Sequence, residues 1–164
     1  QANPKNRVPF NIEDAHFAIA AVSVPGSAST GSVFQASKAE DYQHSELGFL
    51  NGRPRARWVD AGGQTVEIVS PSSIAANTPS VVAFTSTPGA QSLRVNTAVV
   101  ATSYASLSPS AFTQMLIGWG FYGYYPRDGF MGNVYSVISG KGSPSAQEMA
   151  VLERYLGSTA GISI

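Results

Sequence analysis

Phe17-Ala18-Ile19-Ala20-Ala21-Val22 is an unbroken apolar run. A strand turns successive side chains to opposite faces, so such a run needs apolar cover on both sides and predicts a strand at the centre of a layered protein. Val81-Val82-Ala83-Phe84 predicts a second central strand for the same reason. Working outward, other runs keep one apolar face only. Ser92-Leu93-Arg94-Val95-Asn96 alternates, and so does Arg53-Pro54-Arg55-Ala56-Arg57-Trp58, with three arginines on one side and Ala56 and Trp58 on the other. These predict strands with one wet face. Strands are predicted at 16–24, 32–36, 46–50, 53–59, 64–70, 80–86, 91–95, 97–102, 113–118 and 129–139, the spacing of sandwiches and barrels.

Turn residues fall between the runs: Pro25-Gly26, Asn51-Gly52, Gly62-Gly63, Pro88-Gly89 and Asp128-Gly129. Asn51-Gly52 predicts a tight hairpin, because both residues tolerate the positive φ of a type I′ turn. A second hairpin is expected between 93–96 and 97–100, although Thr97 stands where glycine would be easier. Ser145-Ala146-Gln147-Glu148 matches a capping box, and Met149, Leu152 and Leu156 follow at helical spacing. A helix near 146–156 is expected, with Gly157 as its left-handed cap and an apolar stripe that covers an edge or open end of the core. Phe17, Ile19, Val22, Val82, Phe84, Leu93, Val95, Ile117, Val134 and Val137 are predicted to lie buried between the sheets.

Ten Lys and Arg balance ten Asp and Glu, so the chain projects no field toward phosphate backbones or an anionic leaflet, and no nucleic acid partner is expected. Only 12% of residues are charged, which leaves Ser, Thr, Asn, Gln and Gly to cover the surface. Without cysteine there is neither a disulfide nor a thiolate zinc site. No apolar run reaches the roughly 18 residues of a membrane span, so no insertion is expected. The length suits one domain over 1–164, and a first residue of Gln1 instead of Met fits a module of a larger protein.

The order of elements from Val81-Val82-Ala83-Phe84 through Ser92-Leu93-Arg94-Val95-Asn96 to Asp128-Gly129-Phe130-Met131-Gly132-Asn133-Val134-Tyr135, then the Ser145 to Leu156 helix, resembles the concanavalin A-like lectin/glucanase superfamily. The likeness is to the laminin G-like form of bacterial and phage proteins, and covers about 100 residues, with Phe17 to Val24 similar to the early central strand. It implies an all-β fold, a two-sheet antiparallel β-sandwich of jelly-roll type with one short C-terminal helix. Binding of sugars or proteins is implied as a tendency. The catalytic patterns of the superfamily are missing: no E-x-D-x-x-E occurs, and Gln114 is followed by Met115-Leu116 where alginate-cleaving relatives carry Gln-x-His. Glu40-Asp41 lacks the partners of a legume-type metal site. No catalytic residue, cofactor or metal ligand is assigned.

Trp119-Gly120-Phe121-Tyr122-Gly123-Tyr124-Tyr125-Pro126-Arg127-Asp128-Gly129 sets five aromatics among glycines in a segment too broken for a clean strand. Flat rings with polar tips suit sugar, whose C–H faces stack while hydroxyls reach polar groups. Trp119, Tyr122 and Tyr124 are the candidate stacking residues and Arg127 their hydroxyl or carboxylate partner; Tyr125 and Asp128 are expected to anchor the turn. The competing reading is that these rings fill the core. The segment 38–44 is expected to be a solvated loop and His16 a hydrogen-bonded structural residue. The Arg53, Arg55, Arg57 stripe is a wet strand face or a contact for an acidic polysaccharide.

These features point to a non-catalytic carbohydrate-binding or adhesion module of a secreted, cell-surface or phage-tail protein, placed outside the cell or on a virion. One alternative is a structural or oligomerisation domain, with the apolar faces packing a homo-oligomer or neighbours in the parent protein. Another is a polysaccharide-cleaving enzyme with an unrecognised site.

Overall fold

In a computed structural model the described residues are 8–38, 42–122, 125–127 and 129–164, with the backbone alone at 121, 122 and 125–127. The strands are β1 (His16–Ser23), β2 (Gly31–Ser37), β3 (His44–Leu50), β4 (Arg53–Val59), β5 (Thr65–Val69), β6 (Ser80–Thr87), β7 (Ala90–Val95), β8 (Ala98–Ser103), β9 (Gln114–Ile117), β10 (Gly120–Tyr122), β11 (Tyr125–Arg127) and β12 (Asn133–Lys141). The helix α1 spans Ala146–Thr159. A first antiparallel sheet has the order β12-β1-β6-β7-β8 and a second β5-β4-β3-β2-β9, while β10 and β11 pair only with each other. The molecule is an all-β, two-sheet sandwich, and the two runs with apolar residues on both faces are indeed central strands.

Between the sheets, Ala18, Ala20, Val22, Val82, Phe84 and Leu93 meet Val33, Phe34, Leu47, Phe49, Ala56 and Trp58. Trp58 lies edge-on to Phe84, ring centroids 5.3 Å apart, and ties the sheets together. Each large side chain removed from water here contributes about 1.5–3 kcal/mol. Val95, Val134 and Val137 pack against this core half-buried.

Phe17 and Ile19 correct the expected core. They share the odd parity of Ala21, opposite to Val22, and belong to a second apolar layer with Val81, Ala83, Met149 and Leu156 on the outer side of the first sheet. There α1 lies on β1, β6 and β12, so it covers a sheet face and not an edge or open end. Leu152 is only half-buried, whereas Glu153 is fully buried and forks onto Arg94 of β7 at 2.8 and 3.0 Å. The capping box forms as read, Ser145 Oγ taking the Glu148 amide and the Glu148 carboxylate taking the Ser145 amide. Gly157 does not end the helix, which continues to Thr159; the left-handed residue is Gly161, φ +74°. A Cβ on Gly157 would sit 3.3 Å from both Ile162 O and Ile164 Cγ1, so its bareness admits the returning C-terminal tail.

Ile117 is 62% exposed, not buried, because it ends the edge strand β9 just before Gly118 turns the chain at φ +73°. The strand expected at 129–139 begins at 133, and Gly129 instead bridges Ser32 in parallel. Both predicted hairpins form. Asn51 and Gly52 take φ +52° and +73°, and Asn96 and Thr97 take +46° and +72°.

Candidate ligand-binding face

Where α1 shields the outer side of the first sheet, the outer side of the second carries polar rows. Alternation along β2, β3 and β4 sends Phe34, Leu47 and Ala56 inward and leaves Gln35, Glu46 and Arg57 as one outward row, continued by Glu67 of β5. The neighbouring row is Ser32, Gly48 and Arg55, and the next Ser37 and His44. Arg55 donates from Nη2 to Glu46 Oε1 at 2.5 Å, and its Nη1 lies 3.6 Å from Glu67 Oε2. One guanidinium therefore sits between two carboxylates.

The arginine stripe is on one face, as its alternation predicts, but that face is not simply wet. Arg55 is 6% exposed, and Arg53 and Arg57 are half-buried. His44 corrects the solvated-loop reading of 38–44: it begins β3, is buried, and its Nδ1 hydrogen-bonds Tyr42 O at 2.7 Å. Residues 39–41 of that segment lie outside the described residues, and Tyr42 is exposed. Burial holds the His44 imidazole below its usual range, against the opposing pull of Glu46, whose Oε2 is 3.7 Å from Nε2. At neutral pH His44 is thus uncharged.

Among the described residues, the buried polar atoms on this face without a hydrogen-bond partner include Ser32 Oγ and Arg55 Nε. They flank Gly48, which pairs with Ser32 on one side and Arg55 on the other. A Cβ at Gly48 would come within 2.9 Å of Glu46 Oε1, so the missing side chain makes room for the carboxylate that meets Arg55.

The aromatic segment is more regular than its glycines imply, because β10 and β11 form a short antiparallel hairpin, Gly120 opposite Arg127 and Tyr122 opposite Tyr125. It leaves the sheet edge after Gly118, whose amide donates to Val33 O, and returns at Phe130, whose amide donates to Gly118 O. β10 lies against β2, with the Cβ direction of Gly120 only 3.0 Å from Ser32 Cβ and 3.4 Å from Gln35 Oε1. The hairpin thus stands on the polar rows. Trp119, at its base, is 42% exposed. The backbones of Tyr122 and Arg127 end β10 and β11, and their side chains, with all of Tyr124 and Asp128, lie outside the described residues. Sequence reading missed Ser32, Gln35, Glu46 and Glu67, and took His44 as part of the loop before it. The signal was present in His44-Ser45-Glu46-Leu47-Gly48-Phe49, polar or bare at every second residue.

His16 lies between the sheets, as a structural residue should. Its Nε2 meets Ser45 Oγ at 2.9 Å, its Nδ1 meets Asp14 O at 2.7 Å, and it stacks on Phe10. Among the described residues no group of three or more His, Cys, Asp or Glu could hold a metal ion, and no helix is long and apolar enough to cross a membrane.

Sheet order and register define a two-sheet antiparallel sandwich. Solved structures agree. The CBM40 module of the Ruminococcus gnavus IT-sialidase bound to α2,3-sialyllactose matches with a TM-score of 0.67 at 13% identity, over 85% of this chain and 83% of that one. Mouse laminin α1 domains LG4-5 match at 0.67 and 9% identity, over 81% and 37%. The heptameric SAP-like pentraxin from Limulus polyphemus matches at 0.64 and 11% identity, over 93% and 78%. No family model and no curated sequence matches the chain. The likeness carries the fold.

Proposed function

We propose that this chain is a non-catalytic carbohydrate-binding module whose ligand lies on the outer face of the second sheet, beside the β10–β11 hairpin. The observation that carries the reading is that this face, unlike its counterpart under α1, holds buried donors and acceptors, Ser32 Oγ and Arg55 Nε among them unpartnered, and that the hairpin with the half-exposed Trp119 at its base stands on it. Pyranoses offer hydroxyls that need both donors and acceptors and C–H faces that stack on rings. A similar solved structure, the Ruminococcus gnavus module, is bound to sialyllactose. Trp119, Tyr122 and Tyr124 supply the stacking surface in this proposal, and Arg127 a polar contact. The module serves a secreted, surface or phage-tail protein as an adhesive unit, with 1–164 as its single domain.

Cleavage is disfavoured by Arg55. A glycosidase needs two carboxyls turned to its substrate, and Glu46 and Glu67 both turn to the one guanidinium between them. A glycan array followed by titration calorimetry tests the proposal: Trp119→Ala should weaken a hit roughly tenfold to a hundredfold and leave the fold intact. Unchanged affinity in this variant and in Tyr122→Ala would remove the hairpin from the site.

A further inference from the structure

The two sheets end in four described edge strands, and β12, at nine residues, is the longest. An edge presents unpaired N–H and C=O groups to any passing chain, and proteins commonly guard it with charge, proline or a bulge. From Asn133 to Gly140, β12 has neither charge nor proline, and its register shift lies at its first end, opposite Ala21 and Val22. Beyond that shift the pairing is regular. Gly142 N donates to Ala15 O at 2.6 Å, so the hydrogen-bonded pairs with β1 fall on the even-numbered residues of β12. Val137, Ser139 and Lys141 therefore turn their N–H and C=O groups outward, where no described strand takes them.

The edge runs beside a hollow. Glu153 reaches Arg94 of β7 from one flank of α1, so the opposite flank turns to β12, where Thr159 Oγ1 meets Ser136 Oγ at 2.6 Å. There the half-buried Leu152 and the exposed Gln147 and Val151 stand across from residues 141–144 and enclose about 550 Å³, the size of a small-ligand site. The charged groups of its lining are held within the fold, Lys141 Nζ by Asp14 at 2.8 Å and the Glu148 carboxylate by the Ser145 amide. Such a rim suits an uncharged occupant. Outward main-chain groups repeating about every 7 Å match an extended backbone, and the hollow matches a large apolar side chain carried on it. A second copy is a poorer match, because the side chains its β12 would bring to this level, Ile138 among them, already lie under its own α1.

We infer that β12 is a docking edge for an extended, uncharged segment of another protein, which adds a sixth strand to the first sheet and seats an apolar side chain in the hollow beside α1. The surface is separate from the proposed sugar face, which belongs to the other sheet, so neither reading depends on the other.

The full chain is titrated with a dye-labelled, end-capped heptapeptide of alternating threonine and leucine, followed by fluorescence anisotropy and amide hydrogen exchange. Saturable binding is expected, and with it the amides of Val137 and Ser139 should pass from fast exchange to protection, while those of Ile138 and Gly140 are protected throughout. With the leucines facing α1, the threonines are the residues that hydrogen-bond to Val137 and Ser139. The same peptide N-methylated at its threonines keeps its side chains, loses those donors and should bind at least about tenfold more weakly. Ser139→Pro deletes an outward donor without touching the ladder to β1 and should abolish binding. Should that variant not fold, Val151→Lys, at the exposed rim of the hollow, carries the test, with about tenfold weaker binding at an unchanged melting temperature. No saturation by about 1 mM, equal binding of the N-methylated peptide, or binding that leaves Val137 and Ser139 in fast exchange overturns the inference. Protection of those two amides that rises with protein concentration in the absence of peptide gives the edge to a second copy and overturns it as well.

Discussion

His16 closes the gap between β1 and β3 as a neutral imidazole, and burial pushes its pKa down to about 4. Above pH 6.5 the ring is uncharged whether the chain is folded or not, so the contact is at full strength. Between pH 6.5 and about 4 only the unfolded chain takes up the proton, and stability falls by about 1.4 kcal/mol per pH unit, about 3 kcal/mol in all. His44, shifted the same way by burial, steepens the loss. Urea midpoints at pH 7 and pH 4.5 should differ accordingly, and His16→Gln should lower the pH 7 value while flattening the dependence. Thr97 bears strain of another kind. A β-branched residue at φ +72° is held there because Arg94 Nη2 donates to Thr97 O at 2.6 Å and Asn96 Oδ1 accepts the Val81 amide. Thr97→Gly keeps both bonds and should stabilise the chain by about 1 kcal/mol in denaturant melts.

At the scale of the element, α1 shows what one strand's parity decides. Leu156 is fully buried and Leu152 is not, so Leu156→Ala should cost about 2–4 kcal/mol and Leu152→Ala clearly less. Glu153→Ala leaves Arg94 buried without its carboxylate and should cost about 3–5 kcal/mol, the largest loss of the three in urea melts. Strand positions, both hairpins and the capping box were legible in the sequence because each is set by near neighbours: alternation, positive-φ residues, an N-cap three residues from its glutamate. The partner of α1 was not, since a double-sided apolar strand says that something covers each face without saying what. Glu153 is the sharpest case. In a helical stripe it reads as a solvent-facing charge, and only the register of β7, fifty-nine residues earlier, brings Arg94 beneath it. The polar rows of the second sheet were hidden for a related reason: Glu46, Arg55 and Glu67 come together only when β3, β4 and β5 pair. Of the candidate site, the aromatic segment and the arginine stripe could be picked out in advance, but not that both belong to one side of the molecule.

Across the whole molecule, the two tryptophans report on different territory. Trp58 is sealed between the sheets and Trp119 stands at the foot of the hairpin, half in water. Acrylamide should quench one emission class readily and the other little, and a bound sugar should protect the accessible class alone. Loss of that class in Trp119→Phe checks the assignment. Val151 and Tyr155 are exposed one turn apart on α1 and are the surface on which the alternative of a subunit-packing domain depends. Sedimentation at rising concentration should give a monomer, and a stable multimer broken by Tyr155→Ser would favour that alternative. The C-terminal tail, which returns through Ile162 and Ile164 to pack beside Gly157, ends on the helix side of the first sheet. The polar face looks out from the other side, two layer spacings or roughly 20 Å away. A bead, a chip or a fused reporter joined at residue 164 would therefore hold the protein by its back, and leave the polar face turned to whatever passes in solution.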